Sequence, residues 1–374
     1  MYMSNSNNNT PPTQTLSSRI FYIDRIKGFL IILVVFCHMP ATPMFDFVGK
    51  YSIWQYLWTR INDIIPFILY FHMPLFLAIS VFFVKEFSIP YILKRAKFLL
   101  VPYVFWFFIE KLEPLIYHHI TMSEFVNSLP NIFYGNHAKS QTILWFLPAL
   151  FILNVFISLY RKYRSVYFLV TFSALWLLFF FNIEFIAKWH VKGLIPWGVD
   201  VAFYLSPFCL VVDYVHRKYK ISEIFSYLLV IFSTIIITYI ESPKTLSSFH
   251  FRIDLAQLSV PYTLIGYAAM CALSIGILSI FMQTKKESIL SFVGMYTLPI
   301  FVLHLFILGR FHNFLYRVTI FNTFFSNGLF IFMYSILSLF GTIFLAIIIS
   351  KLLIKSSSLF KHVGMINKEF KGVE

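Results

Sequence analysis

The chain reads as an all-α, polytopic integral membrane protein, a bundle of about ten transmembrane helices, and two observations carry that reading. Of its 374 residues 59% are hydrophobic and only 12% charged, a balance far from that of a water-soluble domain. Apolar stretches of near-spanning length also recur from end to end, each suited to cross a hydrocarbon core of about 30 Å as a helix. The expected spans are 20–40, 64–84, 98–114, 143–160, 165–184, 195–213, 223–241, 260–281, 288–309 and 327–352.

Charge distribution orients them. Arg19, Arg25 and Lys27, the segments "KEFSIPYILKRAK", "YRKYR", "HRKYK" and "TKKES", and Lys351, Lys355, Lys361, Lys368 and Lys371 all fall on one side. They hold most of the 30 basic residues, whereas the opposite connections carry two each. Basic connections stay in the cytoplasm, so both termini are expected there. The net charge of +14 then follows from topology and from attraction to anionic membrane lipids, and no nucleic-acid module is present in the sequence.

Residues 1–18 lack charge and are rich in Asn, Ser, Thr and Pro, the composition of a disordered cytoplasmic tail, with residues 19–354 forming the membrane domain and 355–374 a basic cytoplasmic tail. The first span has no cleavage site of small residues after it and is not expected to be a signal peptide. No appended extracytoplasmic domain is expected after the last span. Cys37, Cys209 and Cys271 all lie within spans and show neither a disulfide framework nor metal-ligand spacing.

Polar side chains at membrane depth cost roughly 2.5–3.5 kcal/mol per charge on insertion scales, so each marks a candidate site. In "FYIDRIKGFLIILVVFCHMP", the 11 steps from Lys27 to His38 return the helix to within about 20° of the same face over about 16 Å of rise. Asp24 lies about 40° away on the other side of that stripe, while Arg25 points about 140° off it. Asp24, Lys27 and His38 thus form a ladder from the membrane surface inward, able to bind an anion at Lys27 and to offer a titratable imidazole deeper. Glu110, Asp200 and His304 are expected to face the bundle interior, and Glu184, Asp213 and Glu241 to reach water at span ends.

Four further motifs follow at regular order: "FHMPLFLAIS", "KRAKFLLVPY", "LWFLPALF" and "YTLPIFVLHLFI". Together with the first span they resemble membrane acyltransferase family 3, most closely its branch of fucose 4-O-acetylase-like sugar O-acetyltransferases, over nearly the whole chain. The resemblance implies an O-acetyltransferase that takes acetyl from acetyl-CoA, with no metal, and places it on a hydroxyl of a cell-surface polysaccharide such as an O-antigen or capsule, or on a lipid-linked sugar.

It implies catalytic roles for His38, Lys27 and Asp24, with Lys27 where many relatives have Arg, a change that keeps the charge and loses the planar fork. Lys27 and Arg95 are then the candidates for the coenzyme phosphates; Phe98 stands where relatives carry a second Arg, and Lys94 or Lys97 is placed to compensate. His72, Trp145 and His304 are the candidates for the acceptor side, His72 sharing its triplet with a kink-forming Pro74. Two chemistries fit His38: general base, or a transiently acetylated nucleophile. A polysaccharide polymerase or lipid-linked-sugar flippase has similar size and span number but needs no aligned Lys–His pair. A secondary transporter predicts two related halves, and the sequence shows no such repeat.

Overall fold

In the computed structural model the described residues are 21–39, 65–134, 143–182, 186, 189, 195–240, 260–283, 287–317 and 328–356. The two tails (1–18 and 357–374), Glu184 and Glu241 lie outside them. Every regular element among these residues is helical.

In chain order the helices are α1 (Phe21–Cys37), α2 (Ile65–Val81), α3 (Ile89–Ile116), α4 (Met122–Ser128), α5 (Asn131–Tyr134), α6 (Phe146–Lys162), α7 (Val166–Phe181), α8 (Val199–Lys218), α9 (Glu223–Ile240), α10 (Val260–Gln283), α11 (Ile289–Met295), α12 (Thr297–Arg317) and α13 (Gly328–Ser356). Each of the ten apolar stretches holds a helix. Among the described residues three are long and apolar enough to cross a membrane, within Pro196–Lys218, Leu264–Gln283 and Met333–Lys355, and the bent pair α11–α12, taken as one span, makes a fourth. Among the described residues helices α1, α2 and α6 have 17 residues each, about 25 Å of rise. Helix α3 is long enough but carries Lys94, Arg95, Lys97, Glu110, Lys111 and Glu113 along its length.

Local chemistry sets several ends. Ser88 caps α3 by accepting from the Tyr91 amide, with Pro90 in the first turn, so the helix starts nine residues before the expected span. Thr121 and Glu124 make a reciprocal capping box on α4, and Ser165 caps α7 through the Phe168 amide. The connection between the third and fourth expected spans thus contains two short helices.

Helix α1 lies at the centre, packed against α2, α10, α11, α12 and α13. Its approach to α11 is a backbone contact: a methyl group on Gly28 would overlap the Leu290 carbonyl, and one on Gly294 would overlap the Asp24 carbonyl. The chain then turns by 82° at Tyr296 before α12 begins, and the Thr297 hydroxyl donates to the Gly294 carbonyl at 2.6 Å across the corner.

Helix α8 is interrupted by Pro207, which leaves its backbone one donor short. The hydroxyl of Tyr267 on α10 enters at this point, accepting from the Phe208 amide at 2.8 Å and donating to the Tyr204 carbonyl at 3.2 Å. The Trp176 indole of α7 donates to the same carbonyl at 3.1 Å. On the other flank Arg310 of α12 pairs with Glu113 of α3 and lies over the rings of Tyr117 and Phe306. The three cysteines are free thiols.

Candidate active site

Three histidines converge from three helices. His38 ends α1, His72 lies on α2 and His304 on α12. The His38 and His304 rings meet edge to face with centroids 5.0 Å apart, and both His72 and His304 are near enough to feel a charge on His38.

Each ring is oriented by its own helix. The Nδ1–H of His38 donates to the Val34 carbonyl at 2.8 Å, that of His72 to Ile68 at 2.8 Å, and that of His304 to Phe301 at 2.8 Å and Ile300 at 3.2 Å. A carbonyl is an acceptor only, so Nδ1 bears a proton in all three, and in the neutral ring Nε2 is the lone-pair nitrogen. His72 and His304 are buried, and His38 is half-buried. The arrangement therefore offers a base on a partly open imidazole backed by two closed ones.

An aromatic wall adjoins it. Phe301 contacts His304 at 6.1 Å and Phe146 at 5.5 Å, and Phe146 meets both Phe76 and Trp145. Trp145 is buried in a short 3-10 turn before α6. It stands two rings away from His304, and Phe146 and Phe301 occupy the position nearer the histidines.

The other end of α1 meets a cationic rim. Three consecutive carbonyls where α2 finishes each accept from an arginine: Val81 from Arg161 at 3.1 Å, Phe82 from Arg217 at 2.8 Å and Phe83 from Arg95 at 3.0 Å. Carbonyls exposed at a helix C-terminus carry partial negative charge and attract cations, which is why the arginines gather there. Arg95 also donates to the Tyr91 hydroxyl at 3.0 Å, and the Lys27 ammonium lies 5.5 Å from the centre of the Phe83 ring. Lys27 and Arg95, distant in sequence, thus share one residue. Lys94 and Lys97 are on the same helix turn as Arg95 and face outward or partly so.

Asp213 binds Arg161 at 2.7 Å and Arg217 at 2.8 Å. It is buried, not at the water edge as its place near a span end implied, because two guanidinium groups from α6 and α8 enclose it. Beside it His216 stacks on Phe82 at 4.2 Å and meets the Tyr22 hydroxyl at 3.1 Å. Arg25, off the α1 ladder, is buried and donates to the Phe281 carbonyl at 2.6 Å.

Asp24 and Lys27 do not join the histidines. At 1.5 Å per residue they stand about 21 and 16 Å from His38 along α1, at the rim. Asp200 is buried, as its depth implied; the Glu110 side chain, expected to face the interior, is 35% exposed beside Lys111. Among the described residues no group of three His, Cys, Asp or Glu side chains is arranged to hold a metal ion.

No curated protein and no solved structure matches the chain. The sequence model of one family, described as an acyltransferase domain, matches residues 20–351, which takes in the rim, all three histidines and the aromatic wall. On that coverage the chain belongs to membrane acyltransferase family 3.

Proposed function

We propose that this protein is an O-acetyltransferase of the bacterial inner membrane, with about ten spans and both termini cytoplasmic, which moves acetyl from acetyl-CoA to a hydroxyl of a cell-surface polysaccharide or its lipid-linked precursor. The observation that carries the reading is the orientation of His38: its ring is half-buried and its Nδ1 lies 2.8 Å from the Val34 carbonyl, which makes Nε2 the nitrogen for base chemistry. Lys27 and Arg95 on the same path form the anionic donor's landing point.

In the step this geometry supports, His38 Nε2 takes the proton of the acceptor hydroxyl as its oxygen bonds to the thioester carbonyl carbon. The C–S bond then breaks, and the departing sulfur receives the proton from the imidazolium. The rim holds the nucleotide phosphates near the membrane surface, and the extended pantetheine arm of coenzyme A covers the distance to the imidazole. A polymerase or flippase function is not favoured, since neither chemistry uses a base aligned with an anion site on one helix.

The test is His38→Ala at normal membrane abundance, with acetate on purified envelope polysaccharide measured by mass spectrometry. Acetylation at the unmutated level removes His38 from the chemistry and the proposal with it.

A further inference from the structure

Two guanidinium groups of the rim are anchored on neighbouring peptide groups. Arg217 of α8 donates from Nη2 to the Phe82 carbonyl at 2.8 Å and from Nε to Asp213 at 2.8 Å. Arg95 of α3 donates from Nη2 to the Phe83 carbonyl at 3.0 Å and from Nε to the Tyr91 hydroxyl at 3.0 Å. Phe82 and Phe83 are consecutive, with Cα atoms about 3.8 Å apart across a trans peptide, so arginines from two helices meet at one short turn of chain. Nε and Nη2 share one edge of the planar group, and in both residues that edge is the occupied one. Nη1 has no acceptor among the described residues in either. The edge it forms with the second Nη2 hydrogen is shaped to hold a phosphate through two parallel bonds.

The charge there is in excess. Asp213 already has the buried Arg161 at 2.7 Å, so one carboxylate serves two guanidinium groups, and Arg217 is the exposed member at 54%. Arg95 is held by two neutral oxygens, and the Lys27 ammonium lies 5.5 Å from the Phe83 ring.

On the acetyltransferase reading above, we propose that Arg217 is a donor-binding residue: with Arg95 it forms a two-guanidinium clamp on the nucleotide phosphates of acetyl-CoA, assembled from α3 and α8 on their shared anchor at the end of α2. Asp213 and the Phe82 carbonyl orient the Arg217 fork before the ligand arrives, which cuts the side-chain freedom lost on binding. A lysine in its place supplies a point charge without the paired bonds.

The experiment uses the full chain in nanodiscs of zwitterionic lipid, unmutated or carrying Arg217→Ala, Arg217→Lys, Arg95→Ala or Lys218→Ala. Lys218 is the next residue, exposed and lying over Tyr214, so its replacement removes the same charge away from the clamp. Coenzyme A is titrated by calorimetry, and KM is measured by thiol release, with envelope polysaccharide as acceptor, for acetyl-CoA and for S-acetylpantetheine, which lacks the nucleotide. Arg217→Ala is expected to bind coenzyme A roughly 10- to 100-fold more weakly, Arg217→Lys to fall in between, and Lys218→Ala to match the unmutated protein. The KM for acetyl-CoA is expected to rise in Arg217→Ala while that for S-acetylpantetheine stays; a general distortion of the fold moves both.

Unchanged coenzyme A affinity in Arg217→Ala overturns the proposal, as does an equal loss in Lys218→Ala. So does a rise in both KM values together. If the proteins differ only when phosphatidylglycerol is added to the discs, the fork belongs to a lipid headgroup and the clamp is overturned. Coenzyme A binding lost in Arg95→Ala and intact in Arg217→Ala removes the clamp alone, whereas an unmutated protein that binds no coenzyme A sinks the acetyltransferase reading with it.

Discussion

The imidazole of His304 stands edge-on to that of His38 at a centroid separation of 5.0 Å, although 266 positions separate them in the chain. His38 is half-open while His304 is sealed, so the two rings share a neighbourhood but not a role. Replacement of His38 by Gln is expected to reduce turnover by about 10²–10⁴, the range general-base catalysis contributes. The KM for acetyl-CoA is expected to change little, because the rim lies about 16 Å away along α1. Steady-state kinetics on protein in nanodiscs would check the split; a rise in KM with turnover intact contradicts it.

Arg95 and Lys27 predict the opposite pattern. Arg95→Ala removes a charge that donates to Phe83 and Tyr91, and a charged hydrogen bond of about 1.5–3 kcal/mol corresponds to roughly a 10- to 100-fold weaker hold on the donor. Titration of coenzyme A binding by calorimetry should show this loss, reduced at high salt in the unmutated protein. Equal affinity in the variant would exclude Arg95 from the donor site.

Asp213 links two arginines of unequal exposure. Its side chain and that of Arg161 are 10% and 11% exposed, while Arg217 is 54% exposed. Asp213→Ala strands the buried Arg161 charge and is expected to cost about 3–5 kcal/mol; Arg217→Ala breaks an exposed pair worth about 0–1 kcal/mol. Thermal denaturation in detergent should rank Asp213→Ala far below Arg217→Ala. Similar midpoints would show that the cluster is not a structural anchor.

Four glycines provide a graded packing test. Gly28→Ala and Gly294→Ala place a methyl against backbone that has no side chain to move aside, and Gly276→Ala meets the Ser226 carbonyl at 2.9 Å. A loss of more than about 1–3 kcal/mol is expected for the first two. Among the described residues nothing lies within 4 Å of a methyl at Gly309, so Gly309→Ala is expected to be neutral or to stabilise α12 by up to about 1 kcal/mol. Detergent stability scans across all four would expose a failure as soon as Gly28→Ala proved as stable as Gly309→Ala.

One pH effect follows from the connection outside the spans. Hydrogen bonds from the Thr121 backbone and hydroxyl hold the Glu124 carboxyl below its ordinary value. A depressed folded-state pKa gives stability that is present above the unfolded value and fades as pH falls through the folded one. Helix α4 is therefore expected to fray in acid below the usual carboxylate range. Hydrogen exchange of residues 122–128 should accelerate there, and Glu124→Gln should exchange faster at neutral pH.

The helices were largely legible in the sequence because apolar length reports directly on the cost of placing polar groups in hydrocarbon. The sharp turn at Tyr296 was not, since "GMYTLP" sits inside a continuous apolar stretch and only the contact of Gly294 with α1 reveals why it turns. Thr121 and Glu124 did carry a readable capping box, so α4 was available from spacing alone. For the site, the 11-residue periodicity aligned Lys27 with His38, and the motifs drew attention to His72 and His304. Their convergence needed tertiary structure. The rim arginines 161 and 217 looked like ordinary cytoplasmic charge; the spacing of Asp213 and Arg217 as i and i+4 was the one local signal of their pairing.

The Tyr267 hydroxyl in the gap at Pro207 makes a splint of what would otherwise be a joint. Bending α8 there requires two hydrogen bonds to α10 to break together, so its lower half, with Asp213 and Arg217, keeps a fixed bearing on its upper half. The cationic rim is in this way tied to the bundle's interior, and any hinge between them must lie elsewhere.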